Sequence, residues 1–155
     1  MSATSTSDAA VRSGITIKLL VLGFVAGFIA VPLGHQVMAY IHYLIGWRPT
    51  IPWDMGPNER AAFKAFGIPS VINLSFWGGV WGVLWALIEP YVPKGWLYWV
   101  IAIAFGAVCA TAVSAYVVPT IKGLPTGSIS SIGLMLNGAW GLAAAFFYDQ
   151  MRKRF

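Results

Sequence analysis

Few side chains here can do chemistry, and most of those that can sit inside apolar stretches. His35 and Gln36 form the sharpest polar pair, within GHQVMAYIH. Polar or ionisable residues in such a setting face a bundle interior or a wet cavity. The pair has two readings: a ligand or proton site, or a histidine bonded to a neighbouring helix or headgroup. His42 follows on the same helix face. Seven residues of helix separate the two rings by about 10 Å, too far to share one metal ion. No Cys, Asp or Glu stands near them at zinc-like spacing, so no metal site is expected. A haem held by two histidines would need a second copy of the chain or a partner.

Asn73 and Asn137 place amides in apolar helices, where each must find a partner. They read equally as helix-to-helix glue and as site residues. Lys122, in VVPTIKGLPTG, either holds a phosphate or carboxylate or extends to the membrane surface without a ligand. Trp77, Trp81 and Trp85 recur every four residues. They stack on a flat cofactor such as a quinone or pigment, or, more simply, pack against helices and lipid. Cys109 is the only cysteine, which excludes an intrachain disulfide and reads as a small packing residue. No nucleophile–base pair, P-loop or dinucleotide fingerprint is recognisable, and neither a catalytic residue nor a cofactor is expected.

The elements that carry these residues are plain. Residues 19–47, 68–88, 96–121 and 128–148 contain no Lys, Arg, Asp or Glu. A bilayer core takes about 20 apolar residues per helix. Charged residues make up 10% of the chain and hydrophobic ones 58%, with mean hydropathy +0.72; soluble domains carry roughly 25% charge. The expected fold is all-α, a polytopic four-transmembrane-helix bundle. Its parts are a polar tail over 1–14, a membrane domain over 15–150, and a basic tail over 151–155. The helices fall near 15–45, 68–88, 96–119 and 128–149, with an outer loop over 46–67. A cleaved signal peptide is disfavoured: the leader is polar, the apolar run from Ile15 is long, and no A-x-A site follows.

Six cations (Arg12, Lys18, Lys94, Arg152, Lys153, Arg154) fall on the side of both termini, against four (Arg48, Arg60, Lys64, Lys122) opposite. That bias places both termini in the cytoplasm. The net charge of +5 sits at the ends and in one loop, which suits orientation and lipid headgroups, not nucleic acid. Lys18 to His35 spans roughly 25 Å of helix, so His35 lies near the outer surface. The first apolar run is too long for an upright span. Pro32 should kink it and let the segment beyond lean over the outer interface. In the outer loop, Asn58 caps a short helix, ERAAFKAF, that ends at Gly67.

Packing residues are also visible. Lipid gives helices no hydrophobic reason to associate, so small residues that let backbones approach do that work. Gly23 and Gly27, Gly78 and Gly82, and Gly106 recur at four-residue spacing or in line with it. On the last helix Gly138 and Gly141, three apart, are the packing candidates. NLSFWGGVWG (73–82) and LNGAWG (136–141) resemble each other, which suggests two αα-hairpins repeated in the same orientation.

The set GHQVMAYIH, PWDMGP, GIPSVINLSFWGGVWG, PTIKGLP and LNGAWG resembles a group of small four-helix bacterial membrane proteins of unassigned function. The resemblance implies an inner-membrane location and this fold, and transfers no catalytic residue. The leading functional expectation is a non-enzymatic accessory or assembly subunit of a membrane complex. The alternative is a binder or carrier of a small lipid-soluble or anionic ligand. His35, Gln36, Asn73, Lys122 and Asn137 would line its outer-facing pocket, with Trp77 and Trp81 as aromatic candidates. A homodimer could complete such a path. A redox or pigment-binding subunit is the third reading.

Overall fold

The structure is a computed structural model that describes residues 16–56, 67–121 and 123–155. The N-terminal tail, the expected loop helix over 59–66 and Lys122 lie outside the described residues. Among the described residues, four helices are long and apolar enough to cross a membrane: α1 Ile17–Leu44, α2 Ser70–Tyr91, α3 Trp96–Ile121 and α4 Ser131–Arg154. The all-α, four-helix architecture is as the apolar segments require. With no water in lipid, each segment must satisfy its peptide groups internally, and a helix does so.

The helix ends follow local chemistry. Ser130 caps α4, its Oγ accepting the Gly133 N–H at 3.0 Å. α4 does not stop where the basic tail was expected but continues to Arg154. Lys153 pairs with Asp149 at 2.6 Å one turn back, and three cations in the last turn oppose the helix dipole. α2 also runs past its expected end, closing in a tight 3₁₀ turn over Glu89–Tyr91.

Helix pairs are built on bare backbone. A Cβ at Gly82 would stand 2.1 Å from the Gly23 carbonyl oxygen, and one at Gly27 2.2 Å from that of Gly78. Only hydrogen fits, so α1 and α2 touch main chain to main chain. The α3–α4 crossing repeats this design. A Cβ at Gly106 would meet the Asn137 oxygen at 2.1 Å, and one at Gly141 the Ala102 oxygen at 2.3 Å. In both hairpins two small residues four apart face two residues four apart. Gly138 is different: the nearest atom to its Cβ position is 3.4 Å away, ordinary contact. It does not bring backbones together as the expected packing role required.

α1 packs along both α2 and α4. A Cβ at Gly34 would lie 2.8 Å from the Ala139 oxygen. Between α2 and α3 large rings fill the space instead. Trp81 and Trp85 each approach Phe105 with ring centroids 5.6 Å apart, and Trp85 meets Tyr98 at the same distance. Ala26, Ala102, Ala145 and Tyr148 complete this core, all buried. At the end that carries the C-terminus and the start of α1, Glu89 is 1% exposed. Its carboxylate accepts from Arg152 Nη1 at 2.7 Å and also pairs with Lys94.

Pro32 interrupts the regular hydrogen bonding of α1. The ring has no N–H to donate. Residues Val31–His35 widen into a π-helical turn. The Val31 N–H turns to the Phe28 carbonyl and the Gln36 N–H to the Val31 carbonyl. Two carbonyls thereby become available, and each takes a tryptophan. Trp140 Nε1 donates to Gly27 O at 2.9 Å, and Trp53 Nε1 donates to Pro32 O at 3.0 Å.

Candidate functional site

The second of those tryptophan bonds builds a site. Trp53 belongs to the loop after α1, far from Pro32 in sequence. Besides its indole bond, its backbone N–H donates to Gln36 Oε1 at 3.0 Å. Its ring packs on Tyr40 with centroids 5.7 Å apart. Trp53 has φ of 59°, left-handed backbone that a bulky residue rarely adopts. Such strain costs about 1–3 kcal/mol and persists only where surrounding contacts hold it. Here two hydrogen bonds and a ring contact hold it.

The next residues tie the loop to α2. Asp54 O accepts the Val71 N–H at 3.1 Å, and Gly56 O accepts the Ser70 N–H at 3.0 Å. Asp54 Oδ1 accepts the Gly56 N–H at 2.8 Å, forming an Asx turn. Loop carbonyls thus satisfy first-turn donors of α2 that have no partner within the helix.

Between these ties lies a cleft of about 540 Å³. α1 contributes His35 and Gln36, the loop contributes Arg48, Thr50, Ile51 and Asp54, and α2 contributes Ser70, Val71 and Leu74. Gln36 is buried; His35 and Arg48 are half-buried. Gln36 Nε2 lies 3.5 Å from His35 Nδ1. Among the described residues, the Arg48 guanidinium has no ion pair and no side-chain hydrogen bond. The cleft therefore offers a cation, an imidazole, hydroxyls and a carboxylate beside an aliphatic wall. That set can bind a small polar group attached to an apolar body.

Of the residues expected to share one outer pocket, the structure brings together His35 and Gln36. Asn73 is half-buried on α2 and does not line the cleft; it has no side-chain partner among the described residues. Asn137 serves the other hairpin. Its Nδ2 donates to Thr111 Oγ1 at 2.8 Å, and that hydroxyl donates to Gly133 O at 3.3 Å, joining α3 to α4. The tryptophans divide. Trp77 is 51% exposed and meets Phe76 edge-on, whereas Trp81 and Trp85 turn inward. A four-residue step advances about 40° around a helix, so a stripe drifts off its face within two turns.

Arg48, Asp54 and Trp53 were missed as site residues. The signal was PWD between two prolines, a rigid turn carrying an acid and a large ring in an otherwise apolar chain. His42 stays apart from the cleft. It is 2% exposed beside the Trp47 ring at 5.4 Å, and its Nδ1 has no partner among the described residues. A second, largely apolar groove of about 460 Å³ runs between Leu33, Val37 and Ile41 of α1 and Phe146 and Phe147 of α4. No protein-family model, curated protein or solved structure matches this chain.

Proposed function

We propose that this chain is a multi-pass protein of a bacterial inner membrane that binds a small ligand at an outer-facing cleft. The excess of Lys and Arg on the side of the termini supports a cytoplasmic location for both ends, with the cleft then at the outer surface. The observation that supports binding is the half-buried Arg48 guanidinium, without an ion pair among the described residues, in a cleft whose other wall is aliphatic. A partly desolvated charge is costly unless an opposite charge meets it, so the site favours a ligand with an anionic group. The strained Trp53 turn supports the same reading, since strain held by surrounding contacts gathers at binding sites.

Native mass spectrometry after gentle detergent extraction tests this. The wild-type protein should carry a small-molecule mass that His35→Ala and Arg48→Ala lose while keeping their fold. A wild-type protein bare under every mild extraction, or bound mass unchanged in both variants, overturns the reading.

A second reading, a subunit of a larger membrane complex, draws on α3. It carries two π-helical segments, Phe105–Ala110 and Val113–Val117, and leaves Ile103, Val108, Tyr116 and Val117 exposed along its length. π-Helical turns recur at functional positions. The same spectra would show a partner mass or a second copy.

A further inference from the structure

Resting on the cleft as a binding site, we propose that its ligand is a zwitterionic amino-phospholipid, a phosphodiester and a primary ammonium on one headgroup. Three features point there. Arg48, His35 and Thr50 line the cleft and supply donors of the kind that hold a phosphodiester, guanidinium foremost. An anion alone would be opposed by Asp54, whose carboxylate lines the same cleft. Asp54 Oδ1 accepts the Gly56 N–H, and among the described residues no donor engages Oδ2, the oxygen that would meet an ammonium. No ion pair joins Arg48 to Asp54 among the described residues, so one cleft holds two opposite charges that a zwitterion can satisfy together.

The third feature is the wall. Ile51, Val71 and Leu74 line the cleft with hydrocarbon, and Leu74 is 37% exposed on the outside of α2. A free headgroup has no use for that wall. An acyl chain leaving the headgroup lies along it and continues over the exposed face of α2. The primary ammonium is specified because a carboxylate accepts hydrogen bonds from it, while a quaternary ammonium offers none.

The test presents the whole protein with mixed micelles of phosphatidylethanolamine, phosphatidylcholine and phosphatidylglycerol, equimolar and with matched chains. Native mass spectrometry reads the retained lipid. The wild-type protein should retain the ethanolamine lipid about tenfold over each of the others, the scale of one charge-assisted hydrogen bond. Asp54→Asn should level ethanolamine against choline lipid, while its amide oxygen still accepts the Gly56 N–H and keeps the turn. Arg48→Gln should lower retention of all three about tenfold, and Lys153→Ala, at the far end, should change nothing.

Equal retention of the three lipids by the wild type overturns the inference, as does a preference untouched by Asp54→Asn. Preference for the glycerol lipid that Arg48→Gln abolishes overturns the zwitterion and leaves the binding cleft standing. Displacement of the lipid by an equal concentration of soluble phosphoethanolamine shows that the headgroup suffices, and overturns the lipid as the source. No retained lipid together with no bound mass of any kind sinks both readings.

Discussion

At the scale of single residues, Glu89 is the least expected charge in the molecule. From sequence it belongs to a charged connection between two apolar segments. In the fold it is 1% exposed, because α2 winds one further turn and carries it under the end of α4. Breaking a buried pair costs about 3–5 kcal/mol when both charges are desolvated. Here Lys94 is 60% exposed and Arg152 34%, so much of their charge is already screened by solvent. Glu89→Gln keeps the shape and one acceptor for Arg152. It should lower stability by about 1–2 kcal/mol, read as a lower thermal midpoint in detergent, with lipid retention at the cleft unchanged. An unchanged midpoint would mean that the pairing adds nothing. His35 and Gln36 were legible as a polar pair because nothing around them is polar. Their true partners were not legible. Trp53 comes to Gln36 alongside its indole bond to the Pro32 carbonyl, which the widened turn leaves free, and nothing in local spacing announces which distant indole will take it.

At the scale of elements, the number of helices could be read from charge-free length. So could most of the glycine seams, since four-residue spacing of small residues in lipid has one main use. Two things could not be read. Proline foretells a bend, but whether the helix kinks, breaks or widens depends on which neighbours accept the freed groups. Glycine foretells close approach, but Gly138, three residues before Gly141 in NGAWG, has room for a methyl group. Those glycines therefore separate experimentally. Gly82→Ala drives a Cβ to 2.1 Å from a backbone oxygen that cannot yield, and α1 must part from α2. The loss should exceed about 3 kcal/mol, in the range of severe overpacking. Gly138→Ala meets ordinary contacts and removes a flexible residue from a helix, so it should be neutral or stabilising by up to about 1 kcal/mol. Both are read by unfolding in mixed micelles. Equal gains for the two would show that helix propensity alone is at work, and equal losses would show that close backbone approach does not set Gly82 apart.

At the scale of the whole molecule, the two hairpins are alike inside and unlike in how they meet. Each closes on main-chain contact between four-spaced small residues, consistent with a repeat in the same orientation. α1 then lies close against α4, while α2 and α3 are held apart by Trp81, Trp85, Phe105 and Tyr98. The latch of the first loop onto Pro32 and Gln36 gives the first hairpin a polar cleft. Four spans return the chain to its starting side, and Lys18, Lys94, Arg152, Lys153 and Arg154 gather at that end. A Lys or Arg at a helix centre costs about 2.5–3.5 kcal/mol on insertion scales, so this end should stay in the cytoplasm. In a Cys109→Ala background, Thr50→Cys should react with an impermeant maleimide on intact cells. Ser2→Cys and Phe155→Cys should react only after the membrane is opened. If either terminus labels alongside Thr50 on intact cells, the cleft does not face outward alone, and a ligand reaching it from the outer leaflet is no longer the ligand to seek.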